Sequence, residues 1–396
     1  MALKSGTRGR ARAPRVAVIG VGSVGSMAMW RLAARGAEVV GFEQFALGHD
    51  RGAHGGESRA FRTAYFEDPA YVPMIRRAHL LWRKLEQSTD GVPLLTLSGL
   101  LMLGDTTSVE QSNVMEAIEQ FGVQAEPIPL DKAIKRWPHH PWRDIDWVIF
   151  DREAGYMRPE LAVWHAARQA EALGARLRTH TAVTSIDVED DGVWVGTVGR
   201  REHFDYVVVT TGPRAVKFLG WFAPYLEVRR LLSAWFAAIQ PANFRRDRFP
   251  PFARMAAPRC YGVPAMDEGG LKLGLLGAAN RVVNDPDRPD RSVQIEEVQA
   301  FRDVVKVCFP GVHPDPRRVT AYMDAYTVDG HGLVGPLADT TCVTVAVGLS
   351  GHGFKLAPVL GDIAADYSLR GESTQNLALL DPNRFATASR RNGEGS

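Results

Sequence analysis

The sequence predicts an α/β protein of two domains, and three observations carry that prediction. The chain has 396 residues, more than one hydrophobic core organises. Near the N-terminus a short β-branched run, a glycine-rich turn and a helical pattern follow one another, the order of a βαβ unit. Further on, residues 179–199 alternate apolar and polar side chains, the pattern of short half-buried strands. Apolar residues make up 45%, charged residues 23%, and the formal net charge is +2. That balance is ordinary for a globular protein and gives no electrostatic reason to expect nucleic acid or a membrane surface as partner. The longest apolar runs, such as 231–239, are too short to span a bilayer. The basic stretch 1–13 and the polar stretch 386–396 are expected to be disordered tails. Three cysteines without a C-x-x-C pair argue against a disulfide framework or zinc site and for a reducing, cytoplasmic compartment.

Taken in order, residues 15–19 (RVAVI) read as a buried parallel strand. Gly20, Gly22 and Gly25 follow at the spacing G-x-G-x-x-G, then Val24, Ala28 and Leu32 recur at helical spacing until Gly36. A second strand, AEVVGFE, closes on Glu43. Gly20 allows a tight turn, Gly22 admits a pyrophosphate to the backbone, and Gly25 lets helix and strand pack closely. The helix N-terminus offers free N–H groups to phosphates, and Glu43 is placed to accept from ribose hydroxyls. The glycines alone would equally suit an unliganded turn. With strand, helix, second strand and acid in register, they point to an adenine dinucleotide, and the acid argues against NADP.

Two later segments favour FAD over NAD. Residues 179–199 form a meander with a turn near Asp190 and Gly192, leading into HFDYVVVTTG, an apolar strand that ends on Thr210, Thr211 and Gly212. The C-terminal third carries CVTVAVGLSGHGFKLAPVLGDIAADY: a strand, a glycine-rich loop over 348–353, and a helix. A helix N-terminus there would stabilise negative charge on a reduced flavin ring.

These motifs resemble the monomeric sarcosine oxidase and N-methyltryptophan oxidase family of FAD-dependent amine oxidases, within the D-amino-acid oxidase-like superfamily. Four stretches carry the resemblance in order and spacing: GVGSVGSMAMWRLAARG, GAHGGESRAFRTAYFEDPAYVPM, YGVPAMDEGGLKLG and VAVGLSGHGFKLAP. It implies a Rossmann-like FAD-binding domain over 14–100, 150–222 and 325–385. A discontinuous substrate domain, built on a mostly antiparallel sheet, would take 101–149 and 223–324. Compatibly, RRLLSAWFAAI reads as a strand, and RCYGVPA and LKLGLL as a hairpin around residues 267–270. Expected cofactor contacts are Gly20, Gly22, Ser23, Val24, Gly25, Glu43, Ser58, Arg59, Val183, Gly212, Gly351, His352, Gly353, Phe354 and Lys355.

In the run 271–276, Lys272, Gly274 and Leu276 share one face. From pattern alone such a lysine is a solvated cation. The resemblance instead places Lys272 beside the flavin, where a buried cation promotes the reaction with oxygen. It likewise assigns the substrate carboxylate to Arg62 and Lys355, a bidentate guanidinium and a point charge. Arg59 matches an arginine near the flavin and Tyr261 a pocket tyrosine; packing is the alternative reading of each. His352 is expected to be structural or a flavin-edge contact, and no side-chain spacing suggests a metal.

The chain also departs from the family. Tyr322 stands where the family's flavin-linking cysteine is expected, so FAD is predicted to bind non-covalently. Leu276 and Asp324 replace a pocket histidine and a pocket tyrosine, and Gly55 replaces a histidine next to the flavin. A pocket that loses two rings and gains a carboxylate would accommodate something larger than sarcosine. The expected function is a monomeric, FAD-dependent oxidase of α-amino acids, foremost N-methyl amino acids, reducing dioxygen to hydrogen peroxide. The alternatives are an amino-acid dehydrogenase or a tailoring oxidase for an unusual amino acid.

Overall fold

Strand Arg15–Ile19, fully buried from Val16 onward, lies at the centre of a six-stranded sheet. The protein is described from a computed structural model covering residues 12–105, 108–144, 146–267, 269–277 and 280–385. Of the two expected tails only Arg12 and Ala13 fall among the described residues; Arg12 pairs with Asp205 at 2.8 Å. The sheet runs Leu333–Leu337, Thr340–Val347, Tyr206–Val209, Arg15–Ile19, Glu38–Phe42, Arg176–Arg178, parallel throughout except for its first pair. β-Branched residues dominate its central strands because both faces are covered.

Helix Ser23–Ala33 covers one face and crosses helix Ala357–Arg370. Gly361 permits that crossing: a Cβ there would lie 2.6 Å from the amide nitrogen of Ala28. Arg31 and Asp362 meet at 2.7 Å across the same interface, both buried.

The meander has three strands rather than two, Val183–Glu189, Gly192–Thr197 and Arg200–Phe204. The stretch expected as one strand thus divides between two sheets. Asp205 sits at the break, its carboxylate accepting the Arg15 amide at 2.5 Å, and Tyr206–Val209 then enters the parallel sheet.

The largest sheet has nine strands and is antiparallel but for one pair. Its spine is Leu226–Ala238 paired along most of its length with Val312–Thr327. Beside the spine lies the hairpin Cys260–Pro264 and Gly270–Leu275, as the sequence predicts. Leu276 falls just beyond that strand, its amide still donating to the Arg259 carbonyl at 2.9 Å. No helix among the described residues is long and apolar enough to cross a membrane.

Candidate active site

The C-terminal ends of the parallel strands open onto a cavity of about 320 Å³. Gly20, Gly22 and Ser23 form one wall, with Glu43, Val183 and Gly212 around it. Gly20 turns with φ +85°, and a Cβ there would sit 2.8 Å from the Thr210 carbonyl oxygen. Gly25 lies behind, where a Cβ would be 2.6 Å from Thr210 Oγ1, so the helix can approach the strand only without a side chain. Val24 is buried under the turn and does not line the cavity. Helix Ser23–Ala33 starts on Gly22 with no side-chain cap and no acid in its first turn, leaving N–H groups for an anion.

Glu43 is buried; its carboxylate accepts the amides of Val21 at 2.9 Å and Phe45 at 3.0 Å, and faces His49 at 3.3 Å. Burial alone would raise its pKa, but the hydrogen bond and charge of His49, with the two amides, hold it below the usual value. Two buried polar atoms of cavity-lining residues have no partner: His54 Nε2 and Thr211 Oγ1. Burial pushes the His54 pKa down to about 3, so its ring is neutral. Sequence reasoning did not single out His54; the only signal was a histidine between Gly52 and Gly55. The glycine turn, the helix start, the acid and the two orphaned groups together fit an adenine dinucleotide.

The other expected residues gather past the 52–58 loop. Lys272 is buried, and Nζ donates to the carbonyls of Gly56 at 2.6 Å and Ser58 at 2.9 Å. Burial pushes its pKa well below the usual lysine value, and Arg59 adds to that, while Glu160 and Glu57 oppose it. Arg59 donates to the carbonyls of Ala53 and Ser58, both at 2.7 Å, and of Gly55. Tyr261 lies across the hairpin from Gly274, and a Cβ at Gly274 would overlap its ring. Tyr322 is buried, and a Cβ at Gly55 would lie 2.6 Å from its Cε1. Asp324 accepts the Ala325 amide at 2.8 Å, and burial lifts its pKa to about 6.

Arg62 and Lys355 are both buried and belong to one cluster, but they are not free. Arg62 pairs with Glu67, which the sequence reading had passed over, and lies over the Phe66 ring at 3.5 Å. Lys355 Nζ donates to the His352 carbonyl at 3.0 Å and sits 4.8 Å from the Tyr65 ring centroid. Burial pushes the Lys355 pKa well down, with Arg62 adding to it and Glu67 opposing. Burial would raise Glu67, yet Arg62, Lys355 and His352 bring it to about 2. Arg62 Nη1 and Glu67 Oε2 remain buried without partners.

His352, expected to be structural or a flavin-edge contact, is buried and hydrogen-bonded through both ring nitrogens. Its Nε2 meets the Gly330 carbonyl at 3.1 Å and its Nδ1 the Tyr65 hydroxyl at 3.3 Å. Gly351 turns with φ +83° against Tyr326, Gly353 packs on Leu349, and Phe354 packs at a tilt against Trp82. The final helix begins only at Ala357, after a tight turn over Phe354–Leu356.

Residues 15–367 match the family model described as FAD dependent oxidoreductase. The chain is similar to a monomeric sarcosine oxidase of Streptomyces avermitilis, 33% identical over 94% of this chain and 98% of the relative. It is similar to an N-methyl-L-tryptophan oxidase of Salmonella arizonae, 30% identical over 93% and 98% of the two chains. Among solved structures, L-proline dehydrogenase from P. horikoshii superposes with a TM-score of 0.82 at 22% identity, covering 95% and 98% of the two chains.

Proposed function

The chain belongs to the FAD-dependent oxidoreductase family, and from that membership we propose that it oxidises the C–N bond of an α-amino acid, foremost an N-methyl amino acid, with dioxygen as acceptor. The observation that carries this reading is the pair of buried cations, Arg62 and Lys355, gathered around one carboxylate. Two positive side chains this far from water need an anion. Glu67 supplies one and thereby stands in for the carboxylate of a substrate. A substrate that displaces Glu67 gains a fork of guanidinium hydrogen bonds from Arg62 and a point charge from Lys355.

When bound in the cavity lined by Gly20, Gly22, Ser23 and Glu43, FAD would supply the two-electron redox chemistry, so that amino acid and dioxygen would give imine and hydrogen peroxide. The protein's part is to orient and to place charge. Arg62 and Lys355 fix the acid end of the amino acid. Lys272, held by two carbonyls, keeps a positive group where negative charge develops on oxygen. Arg59, hydrogen-bonded to three carbonyls of the 52–58 loop, sets that loop's shape. Tyr261, Leu276 and Asp324 form the proposed pocket wall.

FAD is bound non-covalently in this reading, because Tyr322 offers no thiol and all three cysteines lie elsewhere as free thiols. Free thiols also support a reducing, cytoplasmic compartment. The proposed cofactor domain is 14–100, 150–222 and 325–385, supported by the six-stranded sheet; the proposed substrate domain, 101–149 and 223–324, by the nine-stranded one. We take the protein as a monomer, as the sarcosine oxidase relatives are named.

The test is anaerobic: mix the yellow protein with a panel of N-methyl and primary amino acids and follow the flavin absorbance. Bleaching by N-methyl amino acids, and prompt peroxide once air is admitted, is the expected result. A panel that bleaches nothing refutes the substrate class. Bleaching with no peroxide leaves a dehydrogenase in place of an oxidase.

A further inference from the structure

All but one of the described residues around the dinucleotide cavity come from 19–54 and 181–218. The exception is Asp287, which arrives from the segment following the Gly270–Leu275 strand. Its carboxylate meets Arg214 Nε at 2.9 Å and also Lys217, and Lys217 meets Asp285 at 3.4 Å. Arg214 and Lys217 both line the cavity. Arg214 is buried, whereas the Lys217 and Asp287 side chains are 41% and 45% exposed.

The segment 283–292 is built as a span with two fixed ends. At one end the Val283 amide donates to the Val228 carbonyl at 2.8 Å. At the other, Arg230 donates to the carbonyls of Asp290, at 2.8 Å, and Ser292. Arg230 is itself buried and paired with Glu297 at 2.7 Å. Both anchors therefore lie on the Leu226–Ala238 strand. Between them Pro286 and Pro289 limit the backbone, and the Asp285 carboxylate accepts the Asp287 amide at 3.0 Å. The span reaches the cofactor side twice, at its middle through Asp287 and at its second anchored end through Arg291, which pairs with Asp50.

We propose that residues 283–292 form an ion-pair strap over the dinucleotide cavity, and that Asp287 with Arg214 and Lys217 sets how long FAD stays bound. The inference rests on the non-covalent reading of the cofactor: where no bond to the chain retains it, its departure requires these pairs to part. Half-exposed pairs are screened by salt, since the Debye length falls from about 10 Å at 0.1 M to about 3 Å at 1 M. Retention of the cofactor therefore depends on ionic strength. The strap touches no reacting atom; these are positioning residues for the cofactor.

The experiment measures release of FAD from holoprotein after dilution, by the rise in free-flavin fluorescence, between low and molar sodium chloride. Wild type should release FAD faster as salt rises. Asp287→Asn removes the pairs to both Arg214 and Lys217; it should release FAD about fivefold faster at low salt and should lose most of the salt dependence. Lys217→Met, which leaves the Arg214–Asp287 pair in place, should release FAD faster than wild type by a smaller factor, and the double variant should be no faster than Asp287→Asn alone. Wild-type release rates in both variants, or an undiminished salt dependence, overturn the strap. So does a loss of apoprotein thermal stability that matches the faster release. Acid precipitation separates this from the reading beneath it. Yellow colour in the pellet overturns both, while colour in the supernatant with unchanged release overturns the strap alone.

Discussion

Burying an ammonium costs several kcal/mol unless acceptors meet it, and Lys272 meets two, the carbonyls of Gly56 and Ser58. A third N–H remains for a ligand. Lys272→Met keeps the apolar stem and removes the charge, so reoxidation of reduced enzyme should slow by about 10²- to 10³-fold while reduction by substrate stays nearly unchanged. Stopped-flow measurement of the two half-reactions checks this, and equal slowing of both would place the lysine elsewhere. Glu67→Gln should tighten substrate binding by about tenfold, because the resident carboxylate no longer competes for charge-assisted hydrogen bonds. Its Kd comes from anaerobic titration; a weaker Kd would mean that Glu67 assists binding. Asp324 gives a pH effect of opposite sign to a paired acid. Its pKa rises from an ordinary 3.8 to about 6 through burial, so the folded state holds the proton longer than the unfolded one. Its contribution then falls as pH rises from about 4 to about 6, by up to about 3 kcal/mol. Asp324→Asn retains the oxygen that accepts the Ala325 amide, so it should be more stable than wild type at pH 8 and equal to it below pH 4. Thermal unfolding across that range decides.

At the scale of elements, the 52–58 loop and the strand Val312–Thr327 have to be read as a pair. Gly55 and Tyr322 look like two separate departures in the sequence, yet a Cβ at Gly55 would lie 2.6 Å from Tyr322 Cε1. Gly56, at φ +105°, would bring one within 3.3 Å of both Lys272 Nζ and the Tyr322 hydroxyl. The aromatic ring therefore occupies the room that a larger residue at 55 would need. Gly55→His should cost about 1–3 kcal/mol of stability through overpacking, and adding Tyr322→Cys should recover most of it. A double-mutant cycle by thermal unfolding measures the coupling; strictly additive effects would separate the two positions. The first helix follows the same logic, since Gly25 and Gly361 each mark a place where another element passes too close for a side chain.

For the whole molecule, what could be read beforehand was what is local in the chain. The turn Gly20, Gly22, Gly25 was legible because the glycines sit next to the strand and helix they serve. The hairpin around 267–270 was legible for the same reason. Burial of Lys272 was not, because its cover comes from Gly56 and Ser58, more than two hundred residues earlier. Pattern alone also missed the inward turn of Glu67 and the reach of Asp287 to Arg214, since ion pairs leave no periodic trace. Tyr322 is where local and distant readings meet. Its phenol packs on Gly55, and under the proposed non-covalent reading the dinucleotide is held by its cavity alone. A ligand that binds only the folded state stabilises it by RT ln(1 + [L]/Kd), about 2.7 kcal/mol at a hundredfold excess over Kd. The unfolding midpoint should therefore climb as FAD is added to apoprotein and keep climbing after the first equivalent. A midpoint indifferent to added FAD in protein that remains yellow would show that the flavin is bonded to the chain.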